Sequence, residues 1–360
     1  IDISKSIKVL TWNRRFLSMM GVWPEKVYDS LFIPIFIYLL IHCTLTIIDI
    51  RNYSRDINKI VANLTELFVF ANTLVKLTIC RLRKDSLVQF LTDIKNDFTV
   101  ENYRSKKEML AFYNYNRLAY LFTVIAIPCK SFSTLTYFFR TLMANTQMVT
   151  TNNSSFVYHL PYKTQTVIEI NDGTTYAVYC TYQMLVLPVL IFGSVGCDCF
   201  FITLALHVTA QLSVLKRRVK GAFEDPDGCR LVDILEDVFN LGILQYLLGT
   251  TFTLCCSGYQ IAKLLPFFIF TGIVLSTLFV YCYTGECLMQ ESTDFGLAFY
   301  NYEWYNFSPL DVKFAYICMI RASRPLQLTS GKFFVLSICT FTDILKTAVG
   351  YLSVLRTMTL

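Results

Sequence analysis

Apolar residues are concentrated in seven long segments of the chain, and shorter polar stretches separate these segments. An α-helix of about 20 mostly apolar residues spans the hydrocarbon core of a bilayer, and every segment reaches that length. The segments are residues 31–50, 59–80, 118–143, 175–207, 238–261, 267–286 and 332–356. The pattern therefore predicts an all-α integral membrane protein with seven transmembrane helices.

Two weaker patterns predict helices that do not cross the membrane. Residues 311–320 are amphipathic and precede the seventh segment, which predicts an anchor helix below the membrane. Residues 5–20 mix basic and apolar positions. This second pattern fits a helix lying in the membrane interface and a helix packed against the rest of the protein equally well.

The distribution of Lys and Arg between the loops predicts the orientation of the helices. Residues 1–30, 81–110 and 211–237 lie on one side of the membrane and carry five, seven and five basic residues. The three loops on the opposite side carry two, one and one. Since basic loops stay in the cytoplasm, we expect a cytoplasmic N-terminus and, after seven spans, an extracellular C-terminus.

Acceptor sites for N-glycosylation agree with this orientation. The Asn-x-Ser/Thr pattern occurs at Asn52, Asn152 and Asn153, in loops that the charge distribution places outside the cell. A further match at Asn306 falls in a loop that is predicted to be cytoplasmic, and we expect that site to remain unmodified. The three outer asparagines are therefore the candidate glycosylation sites.

The composition mainly excludes other classes of protein. Of the 360 residues, 54% are apolar and 16% charged, whereas soluble domains carry about a quarter charged residues. The three histidines are far apart and the thirteen cysteines include no Cys-x-x-Cys pair, so no metal site or catalytic site is predicted. The basic residues form no single patch for nucleic acid. We expect a protein that is not an enzyme and that needs no cofactor.

The most specific motifs lie in the last 80 residues. Residues 324–334 read Arg-Pro-Leu-Gln-Leu-Thr-Ser-Gly-Lys-Phe-Phe, and the pattern continues to Arg356. Residues 281–286, Tyr-Cys-Tyr-Thr-Gly-Glu, precede them, and residues 21–24, Gly-Val-Trp-Pro, stand before the first span. With these motifs in this order, the chain resembles the insect odorant receptors, in particular their odorant-binding (tuning) subunits.

The resemblance implies a ligand-gated, non-selective cation channel that a volatile small molecule opens. The channel would be a heterotetramer of tuning subunits and a shared odorant co-receptor subunit, held among membrane lipids. Each subunit would contribute its seventh helix to one central pore, without a G protein. The implied location is the plasma membrane of a sensory neuron dendrite.

Two alternatives to the tuning subunit stay open. A co-receptor-type subunit of the same channel usually has a longer loop after the fourth span than residues 211–237. A G-protein-coupled receptor would place its N-terminus outside the cell and carry an Asp-Arg-Tyr-like motif after the third span. The basic loops oppose that orientation, and the motif is absent from the sequence.

The seventh segment has the residue pattern of a pore-lining helix. Thr347, Gly350, Val354 and Met358 follow one another at intervals of three or four residues, so they share a helix face. This face is small or hydroxyl-bearing in the middle and apolar at its outer end, which suits a pore that a hydrophobic constriction closes. The resemblance places the gate at Val354 and Met358, whereas packing against a neighbouring helix is the alternative.

The predicted outer halves of the helices are rich in aromatic residues. An apolar ligand needs such a lining, with one or two polar groups to orient it. The resemblance places the odorant pocket among the second, third, fourth and sixth spans. The candidate ligand-binding residues are Phe68, Ser131, Phe132, Leu135, Tyr179, Tyr182 and Phe270. Contact with lipid or with other helices is the alternative explanation for these side chains.

Glu66, Lys130 and Asp198 are ionisable residues inside predicted spans, where a charge is costly and usually has a partner. Glu66 and Lys130 are expected to pair across the second and third spans, and neither is assigned to odorant binding, while Asp198 has no predicted partner. The chain as a whole divides into 1–310, with six spans and the pocket, and 311–360, with the anchor helix and the pore helix.

Overall fold

The structure is a computed structural model, and it describes residues 4–52, 57–98, 103, 105–150, 158–170, 172–218, 227–261, 265–301 and 309–357. In chain order its elements are α1 (Ser4–Met19), α2 (Asp29–Asn52), α3 (Ile57–Leu82), α4 (Lys84–Asp97), α5 (Lys106–Thr150), α6 (Gly173–Met184), α7 (Val186–Pro188), a π-helical segment (Val189–Ser194), α8 (Val195–Arg217), α9 (Asp227–Ile261), α10 (Leu265–Tyr300), α11 (Pro309–Ala322), β1 (Thr329–Ser330), β2 (Phe334–Val335) and α12 (Ile338–Thr357).

The predicted fold class is confirmed. Within the described residues, six helical stretches are long and apolar enough to cross a membrane, and they coincide with the first six predicted spans. The fourth of these runs through α6, α7, the π-helical segment and α8. The 20 residues of α12 supply the seventh helix, and at about 1.5 Å per residue they match the thickness of the hydrocarbon core.

The seventh helix begins later than predicted. The apolar pattern places its start at Lys332, but α12 begins at Ile338. The residues between them belong to a short antiparallel hairpin, in which Ser330 pairs with Phe334. Gly331 and Lys332 both have a φ of 62°, which is the conformation that a tight hairpin turn requires at its two central positions. The turn therefore separates this apolar stretch from the helix.

Several helices are much longer than a membrane is thick. The 45 residues of α5 extend over about 67 Å, roughly twice the hydrocarbon thickness. At the end of the bundle where α5 begins, Arg218 forms an ion pair of 2.9 Å with Glu108. At the same end, Lys216 contacts Glu291 at 2.8 Å and Asp294 at 3.0 Å. The helices are thus joined by charged side chains where they leave the apolar layer.

The centre of the bundle is α8, in which every residue from Val195 to Ala210 is buried. A helix that is apolar on all sides must be surrounded by protein or lipid, and here α5, α9, α10 and α1 surround it. Pro188 has no backbone N–H to donate, and the π-helical segment follows it directly. The span therefore changes its helical phase before it enters the core.

The N-terminal helix α1 packs against this core, which supports the second of the two interpretations of residues 5–20. Phe16 and Leu17 are buried, and the Asn13 side-chain amide donates a hydrogen bond of 2.9 Å to the Thr203 hydroxyl of α8. The segment 311–320 is also helical, as predicted, within α11.

Candidate functional site

The described helices line a partly open cavity of about 450 Å³ beside α8. This volume lies within the usual range for small-molecule sites, about 300–1,000 Å³. Its walls come from α3, α5, α8, α9 and α10, and most of the lining is apolar. The α5 wall consists of Leu118, Leu121, Phe122, Ile125, Ala126, Cys129 and Lys130, which repeat at helical spacing along one face.

Lys130 is the cationic group of the cavity lining. It lies in the middle of α5, and its ammonium is 5.2 Å from the centroid of the Phe270 ring on α10. Such a cation–π contact contributes about 0.5–2 kcal/mol, depending on solvation. No carboxylate of the described residues forms an ion pair with Lys130.

Asp198 is the anionic group of the lining, and its partners are inside the protein. Its carboxylate accepts hydrogen bonds from the Lys76 ammonium of α3 and from the Tyr281 hydroxyl of α10, and all three side chains are buried. The Lys76 ammonium also lies 4.4 Å from the centroid of the Tyr246 ring of α9. Four helices therefore meet at one buried ion pair behind the cavity wall.

A smaller cavity of about 60 Å³ adjoins the first, and the two share Val69, Lys130 and Phe270. Glu66 lines this smaller cavity, but its carboxylate accepts hydrogen bonds from the Tyr137 hydroxyl at 2.5 Å and the Lys163 backbone N–H at 2.7 Å. The predicted pair between Glu66 and Lys130 is therefore wrong. A hydroxyl and a backbone amide satisfy the carboxylate instead.

Two of the predicted ligand-binding residues come together at the larger cavity. Phe68 of α3 and Phe270 of α10 both line it, and Phe68 also packs on Phe252 with the ring centroids 4.6 Å apart. Whether a ligand touches them stays a prediction. The lining also reaches Leu206 and Thr284, so the cavity extends beyond the predicted outer halves of the helices.

The three predicted residues of α5 lie outside the cavity lining. The helical phase gives the physical reason, because Lys130 faces the cavity and the next positions turn away from it. The Ser131 hydroxyl donates a hydrogen bond to the Ile127 carbonyl at 2.8 Å. Phe132 is 62% exposed and Leu135 is also exposed. The exposure of Phe132 and Leu135 is typical of lipid-facing positions, whereas Ser131 is half-buried.

The two predicted tyrosines of α6 also lie elsewhere. The Tyr179 hydroxyl accepts hydrogen bonds from the backbone N–H groups of Val167 and Ile168, at 3.0 and 2.9 Å. Tyr182 packs on Tyr38 of α2, with the ring centroids 4.9 Å apart. Because the fourth span changes phase before α8, the part that lines the cavity is α8 and the end of the π-helical segment, not α6.

The predicted pore residues share an exposed face of α12. Thr347 and Gly350 are exposed, nothing lies within 4 Å of a Cβ placed on Gly350, and Val354 is 53% exposed. These three residues therefore do not pack against another helix in the described part of the chain. Asp343 and Lys346 form an exposed ion pair of 3.7 Å on the same helix. Met358 lies outside the described residues.

The structure describes one of the three candidate glycosylation sites. Asn52 is exposed at the end of α2, and its side-chain amide donates a hydrogen bond of 2.8 Å to the Gln165 side chain. Asn152 and Asn153 lie outside the described residues. The asparagine that is described is therefore accessible.

Sequence reasoning missed most of the cavity lining, including Lys130. The signal was present on α5, where Leu118, Phe122, Ile125 and Cys129 repeat at intervals of three or four residues. That periodicity identifies a helix face without showing whether the face meets a cavity, a helix or lipid. The charge of Lys130 inside an apolar segment was the sharper signal.

Known proteins match this chain both in sequence and in fold, and the sequence matches are as follows. The 7tm Odorant receptor family matches residues 56–228 and 227–349. Odorant receptor 9a of Drosophila melanogaster is 36% identical over 136 residues, which cover 36% of this chain and 34% of that protein. The odorant receptor coreceptor of Ooceraea biroi is 30% identical over 133 residues, covering 35% of this chain and 28% of the coreceptor.

The fold is similar to that of the insect olfactory receptor OR5 from Machilis hrabei, solved in complex with eugenol. The TM-score is 0.83 at 14% sequence identity, and the match covers 98% of this chain and 99% of that one. The curated relatives are matched over shorter stretches. The chain spans 34%, 49% and 52% of the lengths of three Drosophila odorant receptors, namely 9a, 85c and 13a.

Proposed function

Because the chain belongs to the 7tm odorant receptor family, we propose that it is a tuning subunit of an odorant-gated, non-selective cation channel. A volatile small molecule binds in the cavity of about 450 Å³ and opens a pore that α12 lines. The pore belongs to a heterotetramer with the odorant co-receptor. The subunit functions in the plasma membrane of a sensory neuron dendrite, with its N-terminus in the cytoplasm and its C-terminus outside.

The observation that carries this proposal is the apolar cavity inside a bundle of membrane helices. A volatile molecule has few polar groups and gains most of its binding free energy from burial, about 0.8 kcal/mol for each CH₂ group. The side chains of α5 and α10 that line the cavity offer that burial. The cavity also has a few polar groups that orient a ligand, as small-molecule sites usually do.

The helix α10 connects this cavity to α12. Phe279 lines the cavity and contacts Phe341 of α12, with the ring centroids 5.5 Å apart. Six residues further along α10, Gly285 approaches Leu336 so closely that a Cβ on the glycine would overlap the Leu336 backbone. A ligand that displaces α10 therefore moves the start of α12. This contact is the proposed route from ligand binding to pore opening.

The exposed face of α12 supports its proposed role as the pore lining. Thr347, Gly350 and Val354 meet no other helix in the described part of the chain, so this face is available to water or to other subunits. An apolar ring formed by Val354 from each subunit would close the pore by excluding water. Met358, one turn further on, would extend the same ring.

The proposal is tested by recording whole-cell currents from cells that express the chain with and without an insect co-receptor. A panel of volatile compounds is applied while G-protein signalling is blocked. We expect a rapid cation current that requires both subunits and persists during the block. A current that the block abolishes, or no current in any combination, would contradict the channel proposal.

A co-receptor-type subunit is the second candidate, and the similarity to the Ooceraea biroi coreceptor is the observation that favours it. The same recordings separate the two candidates. A co-receptor-type subunit would carry current when expressed alone and would support the response of an unrelated tuning subunit, whereas a tuning subunit would do neither. Glycosylation of Asn152 or Asn153 would test the orientation, because both sites must then lie outside the cell.

A further inference from the structure

We propose that Lys130 gives the cavity a preference for ligands that carry a carboxylate on an apolar body, such as medium-chain fatty acids. This inference rests on the proposed function, since it assumes that the cavity is the ligand site. It adds the chemical class of the ligand and a residue that sequence reasoning did not assign to binding.

The first observation is that the Lys130 ammonium forms no ion pair or hydrogen bond with a carboxylate in the described part of the chain. It lies in the lining of both cavities, and its described contact is the face of the Phe270 ring at 5.2 Å. An ammonium inside an apolar layer loses much of its hydration, and an aromatic face restores only a part of that stabilisation. An anion delivered by the ligand would complete the surroundings of Lys130.

The second observation is that the nearby carboxylates have other partners. Asp198 accepts hydrogen bonds from Lys76 and Tyr281. Glu66 faces only the smaller cavity and is bound by the Tyr137 hydroxyl and the Lys163 N–H. In the larger cavity Asp198 attracts Lys130 through space, but it forms its ion pair with Lys76, whose positive charge opposes that attraction.

The third observation concerns the rest of the lining, which suits an alkyl chain. From Lys130 the α5 wall continues through Ala126, Phe122 and Leu118, at intervals of four residues, and all of them line the larger cavity. A ligand with its carboxylate at Lys130 would lay its chain along this apolar face. The chemistry of the wall therefore matches a molecule that is charged at one end and apolar along its length.

The test measures binding, which does not depend on the channel current. The full chain is purified in lipid nanodiscs, and equilibrium dialysis with radiolabelled octanoate and octan-1-ol is corrected for empty nanodiscs. We expect Lys130→Met to weaken octanoate binding about tenfold or more, because it removes a charge-assisted contact and keeps the side-chain volume. Octan-1-ol binding should change by less than about threefold, and Lys130→Arg should retain the preference for octanoate.

The outcomes separate this inference from the proposed function. Wild-type protein that binds octan-1-ol as tightly as octanoate, or Lys130→Met protein that retains octanoate binding, overturns the role of Lys130 alone. Unchanged octan-1-ol binding by Lys130→Met shows that the variant is folded. If neither probe binds the wild-type protein, or if filling the cavity with Ala126→Phe leaves both affinities unchanged, the cavity is not the ligand site, and the proposed function loses its main support.

Discussion

The helices α8 and α12 are both apolar and of similar length, 23 and 20 residues, but their surroundings differ. Every residue of α8 from Val195 to Ala210 is buried, whereas Ala348 is the one buried side chain among those described for α12. Both sequences predict a membrane span, yet α8 is surrounded by other helices of this chain, whereas α12 contacts α9 and α10 on one side and is exposed on the other. The comparison teaches that the chain itself buries α8 on all sides, whereas it leaves one face of α12 exposed.

The largest loss of stability in the region around α8 is expected when the carboxylate of its buried ion pair is removed. Asp198→Leu leaves the Lys76 ammonium buried without an anion, so we expect the free energy of unfolding to fall by about 3–5 kcal/mol. The double variant Lys76→Met/Asp198→Leu should recover most of the loss, since apolar side chains often replace a buried ion pair without cost. Denaturant titration of the protein in detergent micelles measures both. A double variant as unstable as the single one would contradict this account.

A change at the contact between α10 and α12 should have the next largest effect, because this contact links the buried region around α8 to the exposed helix α12. Gly285→Ala places a Cβ against the Leu336 backbone and should cost about 1–3 kcal/mol in unfolding free energy. It should also reduce the ligand-evoked current while ligand binding persists. Gly272→Ala on the same helix is the matched control, since nothing lies within 4 Å of its Cβ and alanine favours the helix. Equal effects of the two variants would argue against a role for the close approach.

A smaller effect is expected at the surface of the region around α8, where Glu25 is paired with Lys95. Partial burial raises the pKa of Glu25, but hydrogen bonds from Lys95 and Trp23 outweigh it and hold the pKa below its ordinary value of 4.5. Because the pKa of Glu25 is lower in the folded state, its ionised carboxylate stabilises the fold at pH values above 4.5. This contribution is lost as the pH falls through the folded-state pKa. Glu25→Gln should therefore lower the unfolding free energy by about 0.2–1 kcal/mol at pH 6 and by less at pH 3.5. An undiminished difference at pH 3.5 would contradict this expectation.

The smallest effect on stability is expected on the exposed face of α12. Val354→Ser and Val349→Ser both change exposed side chains, so each should alter the unfolding free energy by no more than about 0.5 kcal/mol. Only Val354 lies on the predicted pore face, and its serine variant should raise the current without ligand by wetting the constriction. Resting currents of the two variants with the co-receptor measure this. Equal resting currents of the two variants would contradict the prediction that Val354 forms part of the gate.

The sequence was sufficient for the number and order of the spans, because each is a long, mostly apolar stretch between more polar ones. It did not reveal α4, which lies in a loop of the predicted topology. It misplaced the start of α12, since Phe333, Phe334 and Val335 are as apolar in a hairpin as in a helix. The deciding feature was the pair of positive φ angles at Gly331 and Lys332, which hydrophobicity does not encode.

The cavity was predictable only in part, because its lining depends on the rotation of each helix about its axis. Phe68 and Phe270 were among the predicted residues and do line the cavity. On α5 the prediction named Ser131, whereas its neighbour Lys130 lines the cavity, because the rotation of α5 about its axis was not known. For Tyr179 the break in the fourth span decided the outcome, since it fixes α6 against the loop that contains Val167. These are tertiary effects that one helix does not reveal.

The burial of α8 also bears on how such a receptor can diverge. A substitution there must suit neighbours on several helices at once, so most changes to α8 would be removed by selection before they could alter ligand preference. The walls on α5 and α10 are freer, because the opposite faces of these helices expose residues such as Val124. Substitutions on the cavity walls of α5 and α10 could therefore change the ligand preference, while the buried helix α8 keeps the fold unchanged.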